Sequence, residues 1–199
     1  MSTVIKGSNG NYLIHTKGAS EIVLSLCTSY VDSKGKISPF TKSHNEKLID
    51  VINSLAEEGL RTLCIAYKEI KASSTDPSEW DTAPDNDMVL LAIVGIQDPL
   101  RPEVIGAIAQ CKTAGITVRM VTGDNKLTAT RIATDAGILE EGYEVMEGSQ
   151  FRSLTDSELD LILPKLRVLA RSSPSDKHRL VTRLKYHKEV VAVTGDGTK

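Results

Sequence analysis

The sequence predicts an α/β fold in two parts: a partial antiparallel sheet over residues 1–97, then part of a doubly wound parallel sheet over 98–199. Three observations predict it. Two β-rich runs near the start face each other across Ser8-Asn9-Gly10, residues that tolerate positive φ in a tight turn. Beyond Asp98-Pro99-Leu100-Arg101-Pro102, short apolar runs alternate with helical stripes, the rhythm of a parallel sheet covered by helices. Several of those apolar runs end in polar turns bearing glycine or proline, and strand ends of this kind form the ligand crevice of a doubly wound sheet.

Taken in order, residues 2–6 and 11–17 form a hairpin, and Glu21 to Cys27 a short apolar helix before a polar stretch through Pro39. From Thr41, Leu48, Ile52, Leu55 and Ala56 recur at helical spacing, and Gly59 stands where a left-handed C-terminal residue belongs. Arg61 to Ile70 is a strand with Leu63, Ile65 and Tyr67 on one face and Thr62, Cys64 and Ala66 on the other. Residues 71–86 hold two prolines and few apolar groups, so a mobile loop is expected there, with Trp80 anchoring it. Met88 to Ile96 reads as a strand buried on both faces.

In the second part, Pro102 opens a helix whose stripe is Val104, Ile105, Ile108 and Cys111, and Gly115 closes it. Ile116 to Val121 is expected as a buried strand, followed by a helix to Ala136 that Gly137 ends. Thr155 and Glu158 have capping-box spacing for a helix that stops near Pro164. Arg167 to Ala170 is a strand, Ser173-Pro174 begins a helix through Tyr186, and Val190 to Val193 is expected as the last strand.

Composition excludes several functions. The 24 basic and 26 acidic side chains nearly cancel, so no global field draws the chain to nucleic acid or anionic lipid. The longest apolar run, Met88 to Ile96, is under half of the roughly 20 residues a spanning helix needs. Cys27, Cys64 and Cys111 have no metal-ligand spacing and are odd in number, which predicts core thiols in a reducing compartment. With no basic flank and apolar run at the start, the expected location is the cytosol.

The chemistry gathers in three turns: Thr122-Gly123-Asp124-Asn125, Arg171 to Lys177, and Thr194-Gly195-Asp196-Gly197-Thr198. A hydroxyl beside glycine lets backbone N–H groups approach an anion, and a lysine neutralises phosphate oxygens. A strand-end aspartate in Gly-Asp-Gly can hold Mg²⁺ through hard oxygen. Together they describe a phosphoryl-transfer site. Taken singly, each turn reads equally as a helix cap or a solvated lysine.

The residues also carry a resemblance. Lys17-Gly18-Ala19-Ser20-Glu21, Gly59 to Leu63, Val94 to Val104, Val118 to Asn125 and Ala170 to Lys177 resemble, in order, the cytoplasmic motifs of P-type ATPases, most closely the plasma-membrane calcium-transporting type. The likeness runs along the whole chain apart from variable loops near 28–40, 71–86 and 140–158. It implies that Lys17 with Gly18 lines an adenine pocket, that Arg61 reaches the ATP phosphates, and that Arg171 contacts the nucleotide. By the same likeness Asp98, Pro99 and Arg101 form a hinge, Thr122, Gly123 and Asp124 border the phosphate, Lys177 neutralises it, and Asp196 binds Mg²⁺. ATP, Mg²⁺, transported Ca²⁺ and the remaining, membrane-embedded part of a pump are the implied partners.

In the haloacid-dehalogenase-like superfamily, which the second part resembles, phosphate passes to an aspartate in an Asp-Lys-Thr-Gly-Thr context. This chain contains no such motif, so it is not expected to autophosphorylate. Met1 falls at what resembles an internal methionine, and Lys199 where the family has asparagine, as in a fragment. The nucleophile strand would be central, so its neighbours are expected to expose unpaired edges and leave the chain marginally stable. The alternatives are a non-catalytic nucleotide-binding remnant, a segment of a pump for another cation, and a phosphatase using Asp85-Asn86-Asp87.

Overall fold

A computed structural model of the chain describes residues 1–71, 78 and 80–195. The chain divides into two compact units, Met1–Asp98 and Pro99–Lys199.

The first unit carries β1 (Ser2–Lys6), β2 (Tyr12–Ala19), α1 (Ser20–Ser25), β3 (Cys27–Val31), β4 (Ile37–Pro39), α2 (Lys42–Glu57), β5 (Arg61–Ile70) and β6 (Met88–Ile96). Its six strands lie in the order β1-β2-β5-β6-β3-β4. The expected hairpin forms, with Ser2 opposite Thr16 and Lys6 opposite Tyr12. Three expectations need correction. The stretch through Pro39 is not coil, because Cys27–Val31, rich in β-branched and aromatic residues, forms a strand between β6 and the edge strand β4. The first helix ends at Ser25, which frees Cys27 to start β3. The sheet is mixed rather than antiparallel, since β3 runs parallel to β6.

One face of this sheet makes the core. Ile14 and Thr16 from β2, Cys64 and Ala66 from β5, and Met88 and Leu90 from β6 are buried there with Val23 and Leu24 of α1 and Ile52 of α2. Thr41 caps α2 by accepting from the His44 N–H at 3.3 Å. Gly95 lies under α2, where a β-carbon would come within 2.9 Å of Leu60. The opposite face is uncovered, so Met88–Ile96 is not buried on both sides: Leu91 and Ile96 are 44% and 45% exposed. Trp80 stands edge-on to Tyr12 at 6.1 Å and packs on the core. The mobility expected over 71–86 falls in part on residues 72–77 and 79, outside the described residues.

The second unit carries α3 (Pro102–Thr113), β7 (Met120–Val121), α4 (Lys126–Asp135), β8 (Glu144–Glu147), α5 (Gly148–Ser153), α6 (Asp156–Ile162), β9 (Leu166–Ala170) and α7 (Pro174–Tyr186). Its strands lie parallel in the order β7-β9-β8. Helices cover both faces, as parallel strands require. Val168 and Ala170 of β9 meet Ile108 of α3 and Ala129 and Ala133 of α4. Leu169 meets Phe151, Leu159, Leu180 and Leu184 from α5, α6 and α7.

Two expected strands change here. Ile116–Val121 contracts to Met120–Val121, with Ile116 56% exposed, and Val190–Val193 forms no strand at all. A buried strand holds its extended form through ladder bonds on both sides. Among the described residues the 116–121 segment has a ladder partner only in β9, through Met120 and Val121. The 140–158 stretch, read from sequence as a variable loop, supplies both β8 and α5.

Candidate functional site

In the first unit, Lys17 and Arg61 share the uncovered sheet face. Lys17 stands directly opposite Ile65, and Arg61 precedes Ile65 by an even number of residues, so alternation puts both outward. At about 3.3 Å per residue they are about 13 Å apart along the strand. Lys17 borders a pocket of about 250 Å³ with Met1, Thr3, His15, Thr16 and Ile65. Gly18 points the other way, toward the core, where a β-carbon would come within 3.1 Å of Val23. Arg61 Nη1 makes a half-exposed ion pair with Asp98 Oδ2 at 2.9 Å.

In the second unit, the carboxyl ends of the parallel strands gather Thr122, Gly123, Asp124, Arg171 and Lys177. Val121 leads into Thr122, whose hydroxyl donates to Asp124 Oδ2 at 2.9 Å and accepts from the Asp124 N–H at 3.1 Å. Asn125 then caps α4, accepting from the Thr128 N–H at 2.9 Å. From the end of β9, the Arg171 N–H donates to the Asp124 carbonyl and the Ser172 N–H to the Thr122 carbonyl. The Ser172 hydroxyl also donates to the Thr122 carbonyl, at 3.1 Å, and Arg171 Nη1 to the Gly123 carbonyl at 3.4 Å. The two turns are thus one hydrogen-bonded body. Arg171 adopts φ 46°, a left-handed conformation unusual for a side-chain-bearing residue.

Ser173 opens α7 by accepting from the Asp176 N–H, while the Asp176 carboxylate accepts from the Ser173 N–H at 2.8 Å. Lys177 comes next, in the first turn. It lines a groove of about 320 Å³ with Ile116, Val118 and Val121 on one side and Val191, Val193 and Thr194 on another. The two segments that do not form their expected strands therefore border the same apolar groove. Arg119 stiffens one wall, donating to the carbonyls of Leu163 and Leu166 at 3.1 Å each.

Structure thus joins Thr122, Gly123, Asp124 and Arg171 directly, and puts Lys177 and Thr194 on one groove. Asp196, proposed from sequence for Mg²⁺, lies outside the described residues, as do Gly197, Thr198 and Lys199. Among the described residues no group of three or more His, Cys, Asp or Glu side chains is placed to hold a metal ion. Asp124 brings one carboxylate, and it already accepts from Thr122. No helix in the described residues is long and apolar enough to cross a membrane. Sequence reasoning missed the end of β8, where Gly148 and Arg152 approach the 171–177 turn; its signal, Glu147 and Gln150 at capping-box spacing, lay inside a stretch set aside as variable.

Residues 1–103 match the family model of the P-type ATPase cytoplasmic domain N, and residues 56–199 that of haloacid dehalogenase-like hydrolases. Over its full length the chain is 52% identical to calcium-transporting ATPase PAT1 of Dictyostelium discoideum and 50% identical to plasma membrane calcium-transporting ATPase 4 of Homo sapiens. It is 48% identical to the plasma membrane-type calcium-transporting ATPase 4 of Arabidopsis thaliana. The chain spans 17 to 19% of the length of these relatives. With both of its units covered by these models and half of its residues shared with calcium-transporting members, the chain belongs to the P-type ATPase family.

Proposed function

We propose that this chain is the nucleotide- and phosphate-handling segment of an ATP-driven calcium pump that works at the cytoplasmic side of a membrane. Its first unit, to about residue 97, binds ATP. The second, from about residue 98, handles the transferred phosphate. The observation that carries the reading is the hydrogen-bonded body of Thr122–Asp124 and Arg171–Ser172 at the carboxyl edge of a parallel sheet, beside Lys177. Calcium as the transported ion rests on the names of the relatives.

In this reading the adenine end of ATP lies against the outward face at Lys17 and Ile65, with Gly18 allowing α1 to pack close behind. The phosphates extend toward Arg61, a distance of about 13 Å along β5 that suits a nucleoside triphosphate. Asp98 holds Arg61 until phosphate competes for it, and a half-exposed pair of this kind contributes at most about 1 kcal/mol, so exchange costs little. At the second unit, the Thr122 and Asp124 N–H groups are taken up by the Leu169 carbonyl and the Thr122 hydroxyl, so it is the Gly123 N–H that meets a phosphate oxygen, and Lys177 and Arg171 balance the charge. Asp196 is the carboxylate that would hold Mg²⁺, and a bound Mg²⁺ would supply further charge neutralisation at the phosphate.

The sequence lacks an Asp-Lys-Thr-Gly-Thr acceptor, so this polypeptide binds nucleotide without itself becoming phosphorylated. Isothermal titration of the purified chain with Mg²⁺–ATP tests the reading. Binding in the micromolar to low-millimolar range, weakened by Lys17→Ala and by Arg61→Ala, is expected. No heat at millimolar ATP would reject it, and stable label from γ-phosphate-labelled ATP would reject the missing acceptor.

A further inference from the structure

The carboxyl edge of the parallel sheet contains one device that the sequence motifs do not include. β8 ends at Glu147, and the chain turns at once into α5. The first residue of that helix, Gly148, touches the turn after β9: a β-carbon there would come within 2.5 Å of the Arg171 carbonyl oxygen and 2.9 Å of Asp176 Oδ2. One helical turn later, Arg152 Nη1 donates to the same Asp176 Oδ2. Asp176 is 2% exposed, the one charged side chain buried among the described residues.

That single carboxylate oxygen collects three donors: Arg152 Nη1, the Ser173 N–H at 2.8 Å and the Ser173 hydroxyl at 2.9 Å. Ser173 in turn accepts the Asp176 N–H at 3.3 Å and, through its carbonyl, the Lys177 N–H at 3.2 Å. The residue before it, Ser172, is bonded twice to the Thr122 carbonyl. A continuous set of bonds therefore runs from Arg152 through Asp176 and Ser173 to both Lys177 and the Thr122 turn. A buried carboxylate that loses its cationic partner is strongly disfavoured, so the turn would rearrange to bring Asp176 to water.

We propose that Arg152 is a positioning residue of the phosphate site: acting through the buried carboxylate of Asp176, it fixes the 171–177 turn and so sets where Lys177 stands against Thr122. The inference rests on the phosphate-site reading given above. Arg152 touches no ligand in this scheme. Its forked guanidinium reaches a carboxylate that already serves the α7 cap, and its positive charge offsets the negative charge of a buried carboxylate one residue before Lys177.

The test is a titration of the ¹⁵N-labelled chain with inorganic phosphate in Mg²⁺ buffer, reading Kd from the amides of Thr122, Gly123 and Lys177. These are expected to shift together in the unaltered chain. Arg152→Ala is expected to weaken phosphate at least fivefold, Arg152→Lys to stay within about twofold of the original, and Asp176→Asn to match Arg152→Ala. The double variant is expected to be no weaker than either single one, because both act through the same carboxylate. Arg152→Gln, which keeps the aliphatic stem, replaces the alanine variant if that one does not fold. Because Kd is read on folded molecules, a purely stabilising role leaves it unchanged, and unchanged Kd in Arg152→Ala or Arg152→Gln overturns the proposal. Losses that multiply in the double variant also overturn it. An unaltered chain whose amides do not respond to phosphate removes the site reading itself, an outcome distinct from a responsive chain indifferent to Arg152.

Discussion

The sharpest structural consequence concerns two glycines that a sequence would treat alike. At Gly148 a β-carbon would lie 2.5 Å from the Arg171 carbonyl oxygen, where carbon and oxygen ordinarily approach to about 3.3 Å. The turn or α5 must therefore yield by about 0.8 Å, and overpacking of this kind costs about 1–3 kcal/mol. Alanine regains part of that through helix propensity, about 1 kcal/mol in a helix interior and less at a first residue. Gly148→Ala should thus destabilise the second unit by about 1–2 kcal/mol. Gly106, in the middle of α3, has no heavy atom within 4 Å of the same position, so Gly106→Ala should stabilise by about 0.5–1 kcal/mol. Urea-dependent hydrogen exchange at the Val168–Ala170 amides of β9 reports both. A Gly148→Ala chain as stable as the original would refute the close approach of α5 to the 171–177 turn.

The electrostatics and the groove lead to further outcomes. Arg183, packed across from α6 and helped by His187, holds the Asp160 carboxyl at about 2, below the ordinary value of about 3.9. A carboxyl depressed in the folded state stabilises fully above its unfolded value and loses that contribution as pH falls from about 4 toward 2, so the stability gap between the original chain and Asp160→Asn should close over that interval. The Cys64 thiol lowers the pKa of the half-buried Cys27, whereas Cys64, wholly buried, is raised by the same contact; alkylation followed by peptide mass mapping should mark Cys27 before Cys64. The groove beside Ile116–Val121 leaves a parallel strand with a partner on one side only, which predicts marginal stability of the second unit. One cooperative urea transition with an m-value appropriate to all 199 residues would contradict this.

Much of the site was legible because local chemistry dictates it. Thr122-Gly123-Asp124-Asn125 reads as a strand end because Asn125 must cap the helix beginning at Lys126, and Ser173-Pro174 as a helix start because serine and proline suit the cap and first position. Gly59, Gly115 and Gly137 all take the left-handed conformation that ends a helix. The features that escaped reading depended on neighbours distant in sequence. Ile116–Val121 is apolar enough for a buried strand, yet a ladder needs partners, and only Met120 and Val121 find them. Val190–Val193 fails for the same reason. Asp176 stands in the first turn of α7, and only the fold shows that Arg152 meets it. Gly18 shows the converse limit, since its place in a motif said nothing of which sheet face it serves.

The central claim is that the Thr122, Lys177 and Thr194 turns serve one phosphate. Mn²⁺ substituted for Mg²⁺ in the presence of phosphate should broaden the amides of Thr122, Gly123, Asp124, Lys177 and Thr194 together. Broadening confined to one of the three turns, or spread over amides far from the groove, would contradict the account.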